Sequence, residues 1–313
     1  MTLYQSILVV ATETSAVRPA FERALALARG GGAITVLDVA EPASEDARAW
    51  VPAATLAAVE AKADEQRRAA LAALAGEAAQ AGAAIRTETA RGSAFRLAIQ
   101  AVLRAQHDLV LKTVDTRGPR ARSPLGSVDR HLLRKCPCPL WLVAPEGEPP
   151  GAVLAAVNPD PADPEENALS AVILRSAAGI AALDGRELHV LHAWKVLGEV
   201  LAGGPQPVVS DPEVDFIVGR ALTRHAGFVD DLLMRTPLPV RAQPHVVHAR
   251  AADAIIDFVE QYTPSLLVMG TVGRTGLPGL LIGNTAERVL NEVTCSVLAL
   301  KPKGFVSPVT LEA

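Results

Sequence analysis

The run Met269-Gly270-Thr271-Val272-Gly273-Arg274-Thr275-Gly276, followed by Gly283-Asn284-Thr285-Ala286-Glu287, decides how the rest of the chain is read. Its spacing is Gly-x2-Gly-x9-Gly-Asn-Thr. An apolar strand pattern, Ser265-Leu266-Leu267-Val268-Met269, leads into it, and a helical pattern over residues 287–293 leads out. A glycine-rich turn from strand to helix suits an anion: residues without a side chain let backbone N–H groups reach phosphate, and the helix N-terminus adds favourable partial charge. The run points to a nucleotide or another phosphorylated ligand.

Working outward, the same order of elements occurs twice. In the first half, strand patterns lie at 7–11, 33–39, 85–90, 108–114 and 140–143. Helical patterns separate them at 19–29, 52–80, 94–106 and 128–134. The second half repeats this, with strands at 152–157, 187–193, 241–248, 265–269 and 297–300, and helices at 166–182, 211–234, 252–262 and 284–293. Residues align too: Leu109-Val110-Leu111 with Leu267-Val268-Met269, Gly126-Ser127 with Gly283-Asn284, Cys138 with Cys295, Pro145 with Pro302. Matched order and matched residues imply a tandem duplication. Pro145-Glu146-Gly147-Glu148-Pro149-Pro150-Gly151 reads as the linker. Strands alternating with helices imply βαβ units, a parallel sheet, and a ligand site beyond the carboxyl ends of the strands where strand order reverses. The loop at Gly270 leaves such an end.

Composition narrows the function. The chain has 313 residues, half of them apolar, enough for two cores. A net charge of −4 argues against a nucleic-acid footprint. Three cysteines provide no disulfide framework and suggest a reducing cytoplasm. Residues 7–11 are too short for a secretory core, no Lys or Arg precedes them, and no continuous apolar run long enough to span a bilayer is expected. A lysine-bearing P-loop, HExxH and a Ser-His-Asp spacing are all missing, so no catalytic base or nucleophile stands out. Cys136-Pro137-Cys138 reads as packing, because too few thiols exist for a four-thiolate zinc site. His189 and His192, like His245 and His248, are three apart on strands and so face opposite ways, which makes neither a metal clamp. Asn284-x-x-Glu287 also reads as a capping arrangement. On the helix at 211–234, Val214, Ile217, Val218, Ala221, Leu222, Phe228, Val229 and Leu232 make one apolar face, read as core, with His225 at its edge.

The segment 268–276 with Gly283-Asn284-Thr285 resembles the nucleotide loop of universal stress proteins, whose pattern is Gly-x2-Gly-x9-Gly-Ser/Thr. The resemblance covers both halves. Gly-Asn-Thr-Ala-Glu in the second, with Leu132-Leu133-Arg134-Lys135-Cys136-Pro137 in the first, is similar to the tandem E type. It implies two Rossmann-like domains of the adenine nucleotide alpha hydrolase-like kind, each a five-stranded parallel sheet with helices on both faces. Their expected bounds are 1–145 and 151–303, with a tail at 304–313. It further implies that the last strand of each half mediates domain pairing, giving an intrachain pseudo-dimer and a possible homodimer.

By the same resemblance, the chain is a cytoplasmic stress-response protein that binds ATP or a related adenine nucleotide, with Mg2+, without catalysis. Gly270, Gly273 and Gly283 would offer backbone N–H groups to phosphate. Asn284 and Thr285 would bond phosphate or ribose, and Met269, Val272 and Val157 would wall the site. Asn158 stands where the family carries an Asp that meets the nucleoside, and Asn284 where it usually carries Ser; each keeps hydrogen bonding but changes its pattern. No nucleic acid or membrane partner is expected. A phosphorylated apolar metabolite and very slow ATP hydrolysis remain alternatives. In the first half, aligning Lys112 with Gly270 and Asp115 with Gly273 makes that loop a degenerate one.

Overall fold

The computed structural model describes residues 3–12, 17–42, 45–115, 125–195, 211–271 and 282–311. They divide into two units. Met1–Glu148 groups with the tail Val306–Ala313, and Pro149–Gly276 with Leu281–Phe305. The tail is therefore not free: Val309 is buried and the Gln100 amide donates to the Thr310 carbonyl at 3.1 Å.

The first unit runs β1 (Ser6–Ala11), α1 (Arg18–Ala28), β2 (Ala33–Ala40), α2 (Glu45–Trp50), α3 (Ala53–Gln80), β3 (Ala84–Arg91), α4 (Ala94–Ala105), β4 (Leu109–Thr113), α5 (Ser127–Lys135) and β5 (Leu140–Val143). The second runs β6 (Val153–Ala156), α6 (Pro164–Asp184), β7 (Leu188–Trp194), α7 (Asp211–Arg235), β8 (Ala242–His248), α8 (Ala251–Tyr262), β9 (Leu266–Gly270), α9 (Asn284–Glu292) and β10 (Ser296–Leu300). Only the short α2 has no counterpart in the sequence reading.

Each unit contains five parallel strands. Their orders, β3-β2-β1-β4-β5 and β8-β7-β6-β9-β10, are the same order in the two halves. The central strands are buried at nearly every position, as sheets covered by helices on both faces require. The edge strand β3 alternates instead, as its sequence does. Strand order reverses between β1 and β4, and between β6 and β9.

Helix ends follow local chemistry. Asp163 caps α6 by accepting from the Glu165 and Glu166 amides at 3.1 Å each, and Gly185, with φ of 64°, ends it. By length and composition α6 is apolar enough to cross a membrane, which the sequence reading did not foresee. Its face Leu169, Ile173, Leu174, Ala177 and Ala181 is spent on packing against β6 and β9. The apolar face of α7 is only partly core. Val229 and Leu232 are buried, but Ile217 and Leu222 are exposed, so the packed portion is the C-terminal half of that helix.

Strand register corrects the internal alignment by one residue. Ile7 pairs with Leu109 and Val153 with Leu266; Thr113 pairs with Val143 and Gly270 with Leu300. The amides that follow, Val114 and Thr271, donate to the carbonyls of Val143 and Leu300. Gln106 and Thr263, both left-handed at φ of 53° and 43°, end α4 and α8 at the same place. One offset carries Gln106, Leu109, Thr113 and Val143 onto Thr263, Leu266, Gly270 and Leu300, and also Gly126 onto Gly283. Thr113, not Lys112, therefore matches Gly270. Lys112 matches Met269, Asp115 matches Val272, and Asp129 matches Ala286.

Candidate functional site

A cavity of about 370 Å3 opens at the reversal point of the second unit, beyond the carboxyl ends of β6 and β9. It brings together Val157, Asn158, Met269, Gly270 and Thr285, five of the nine residues picked from sequence. Val272 and Gly273 lie outside the described residues. Gly283 and Asn284 stand beside Thr285 at the start of α9 without lining the cavity.

Sequence reasoning missed the α6 wall. Glu166, Leu169, Ser170 and Ile173 line the cavity, as do Leu191 from β7 and Ile255 from α8. Their signal was helical spacing facing a strand end, which is indistinguishable from ordinary core. This wall orients Asn158. Its backbone amide donates to Ser170 Oγ at 3.0 Å, and its side-chain Nδ2 reaches Glu166 Oε2 at 3.4 Å. The amide oxygen is thereby turned away from Glu166 and is available to accept from a donor.

Gly270 is small for a further reason: a Cβ there would come 2.9 Å from Leu169 Cδ2. The base of the loop is tied shut, since the Gly283 amide donates to the Thr271 carbonyl at 3.0 Å and Thr271 Oγ1 donates to the Leu300 carbonyl at 3.3 Å. Gly283 is also the N-cap residue of α9, with extended φ and ψ and no side-chain cap. Asn284 is the first helical residue, so its reading as an N-cap is corrected. The amides of Asn284, Thr285 and Ala286 have no partner within the helix and mark the positive end of its dipole.

The matching place in the first unit is filled. Lys112, 1% exposed, sets its Nζ 2.9 Å from Asp115 Oδ1, 2.9 Å from Asp129 Oδ1 and 3.0 Å from the Thr113 carbonyl. Asp129 Oδ2 accepts the Gly126 amide at 2.8 Å, and Thr113 Oγ1 accepts the Ala20 amide at 3.2 Å. A carboxylate of the chain itself thus takes the glycine N–H at the head of α5. The basic stretch Thr116–Arg122 lies outside the described residues.

Histidines pair between elements, not along strands. His189 Nδ1 lies 2.8 Å from His245 Nε2 on the neighbouring strand, and His192 Nε2 lies 2.9 Å from His225 Nδ1 on α7. Burial drives His192 down to about 4, against the pull of the Val157 carbonyl at its Nδ1. His225 stacks on Trp194, which in turn stacks on His248. Among the described residues no group of three or more His, Cys, Asp or Glu could hold a metal ion. The three cysteines are in thiol form, with the Cys136 and Cys138 sulfurs 3.7 Å apart.

Comparison with known proteins agrees with this duplicated architecture. The model of the Universal stress protein family matches residues 3–144 and again 161–301. The chain is 32% identical over 221 residues to "Universal stress protein E" of Salmonella typhi, covering 70% of this chain and 68% of that protein. Its Escherichia coli K12 namesake is 31% identical over the same coverage. Among solved structures, the functionally unknown protein PA1789 of Pseudomonas aeruginosa PAO1 superposes with a TM-score of 0.73 at 26% identity, covering 97% of this chain and 95% of that one.

Proposed function

The chain belongs to the universal stress protein family, and on that premise we propose that its C-terminal domain binds an adenine nucleotide of the ATP kind, with Mg2+, and does not turn it over. The observation that carries this reading is the cavity at the β6/β9 reversal, which has a helix N-terminus on one side and an aliphatic wall on the other. Leu169, Ile173, Leu191 and Ile255 would sandwich the base. The side-chain oxygen of Asn158 would accept a hydrogen bond from the nucleoside. The Asn284 and Thr285 amides, with the loop through Gly273, would meet the phosphates. Mg2+ would add charge neutralisation between phosphate oxygens. Among the described lining residues the one carboxylate, Glu166, is met by the Asn158 side-chain amide, which supports retention over hydrolysis. The N-terminal domain would serve regulation or pairing, its own strand end being occupied by Lys112, Asp115 and Asp129. The setting would be a cytoplasmic stress response.

The aliphatic lining gives the second reading, a phosphorylated apolar metabolite, its specific support. Calorimetry with Mg-ATP on the wild type, Gly270→Thr and Gly273→Asp tests the first. Both variants should lose at least about tenfold in affinity, since one fills the cavity floor and the other sets a carboxylate against phosphate. Unchanged affinity in both would remove the assignment. Mass spectrometry of molecules released from the purified protein separates nucleotide from apolar metabolite, and following ADP release over hours tests for slow hydrolysis.

A further inference from the structure

A second cavity, of about 420 Å3, lies in the N-terminal domain at the carboxyl ends of β2 and β3 beneath α3, away from the reversal point. Asp38, Ala40, Asp64, Arg67 and Arg91 contribute to its walls. Asp38 is 1% exposed, and among the described residues neither of its oxygens has a hydrogen-bond partner. Its ion-pair contact, Arg67 Nε, stands 3.8 Å off. Arg67 Nη1 is likewise 3.9 Å from Asp64 Oδ1, while Arg91 is engaged by Asp64 and Glu60. A buried carboxylate facing a cavity without its full set of donors is costly to the fold alone and becomes favourable when a ligand supplies them. Burial also raises the Asp38 carboxyl above its ordinary range.

The other half shows why this cavity exists. Ala40 pairs with Arg91 at the end of β2 and β3, and Trp194 pairs with His248 at the end of β7 and β8. Trp194 is buried between the rings of His225 and His248, at centroid distances of 5.1 and 4.4 Å. An indole closes this corner in one domain; a methyl group leaves it open in the other.

The charge pattern selects the occupant. A simple anion would face Asp38 and Asp64, and a simple cation would face Arg67 and Arg91. A dipolar molecule meets both demands. We propose that this cavity binds a small zwitterionic metabolite of the amino-acid class, its ammonium group on Asp38 and its anionic group toward Arg67 and Arg91.

Calorimetry on the full chain, with each of the common amino acids in turn and ethylammonium and inorganic phosphate as single-charge controls, tests this. At least one amino acid should bind about tenfold or more tighter than either control. Asp38→Asn, nearly isosteric, and Ala40→Trp, which installs the plug of the other half, should each weaken it at least about tenfold. Mg-ATP affinity should stay unchanged in both variants, which separates this site from the nucleotide site. If no amino acid binds, or if binding survives both substitutions, the proposal fails.

Discussion

The two domains share one fold and one strand register, yet each fills the corner that the other leaves open. At the strand reversal, the C-terminal domain has Met269 and Gly270 on a cavity, whereas the N-terminal domain has Lys112 bound to Asp129 and to the Thr113 carbonyl. At the ends of the second and third strands the pattern inverts, with Trp194 plugging one domain and Ala40 leaving a charged cavity in the other. Duplicated backbone therefore does not imply duplicated sites. A few side chains at matched register positions decide which corner can take a ligand.

Exchanging those side chains tests the contrast, and the largest effect is expected at the buried ion cluster. Lys112→Ala leaves Asp129 charged, buried and without its cation, and should cost the N-terminal domain about 3–5 kcal/mol in urea unfolding. Installing the other half's residues together, Lys112→Met with Asp115→Val and Asp129→Ala, should recover most of that loss. If the single change costs under about 1 kcal/mol, the cluster is not the structural plug described here.

Next comes acidity. The folded state keeps His192 neutral to about pH 4, while the unfolded chain takes up the proton near its ordinary value. Stability from this histidine is thus complete above about pH 6.5 and is lost as pH falls toward 4, about 2 kcal/mol between pH 7 and pH 5. His225 and His245, also lowered by burial, act in the same direction. Urea midpoints of wild type and His192→Asn at both pH values check this: the variant should be less stable at pH 7 and distinctly less sensitive to acid. An equal acid response in the two proteins would refute it.

Gly270→Thr transplants the N-terminal residue into the C-terminal sheet and presses its Cβ on Leu169, a cost of about 1–3 kcal/mol by thermal or urea unfolding. The smallest expected effect is a gain. Asp38→Asn removes a desolvated charge and should stabilise the N-terminal domain by about 1 kcal/mol at neutral pH. Because the carboxyl is raised in the fold, wild type should regain stability as pH falls through that folded-state value, and Asp38→Asn should not.

Much of this was legible in the sequence. Strands and helices were readable because apolar runs, alternation and glycine stops are local signals. The place of Met269, Gly270 and Thr285 at the reversal point was readable because the glycine spacing is specific. The one-residue register between the halves was not. Leu109-Val110-Leu111 slides against Leu266-Leu267-Val268-Met269 with no loss of apolar match, and only the hydrogen-bond ladder settles the phase. The histidine pairs were missed for a related reason. Period-two alternation separates His189 from His192 correctly, but says nothing of His245 on the next strand or His225 on a helix. The face of α7 was over-read, because helical periodicity marks a stripe and not how far along it the sheet extends.

The strand order bears on how the protein is made. β6 receives β7 as its neighbour soon after synthesis, but its other neighbour, β9, emerges only after α6, β7, α7, β8 and α8. Contacts this distant in sequence form late and slowly. Until β9 docks, the apolar length of α6 lacks one of its three sheet partners, β6, β7 and β9. On the ribosome, then, the nascent second domain passes through a stage with a greasy helix partly uncovered, which is a natural point for chaperone engagement or aggregation. The cavity between β6 and β9 cannot exist before that stage ends, so ligand capture reports that the domain has completed folding.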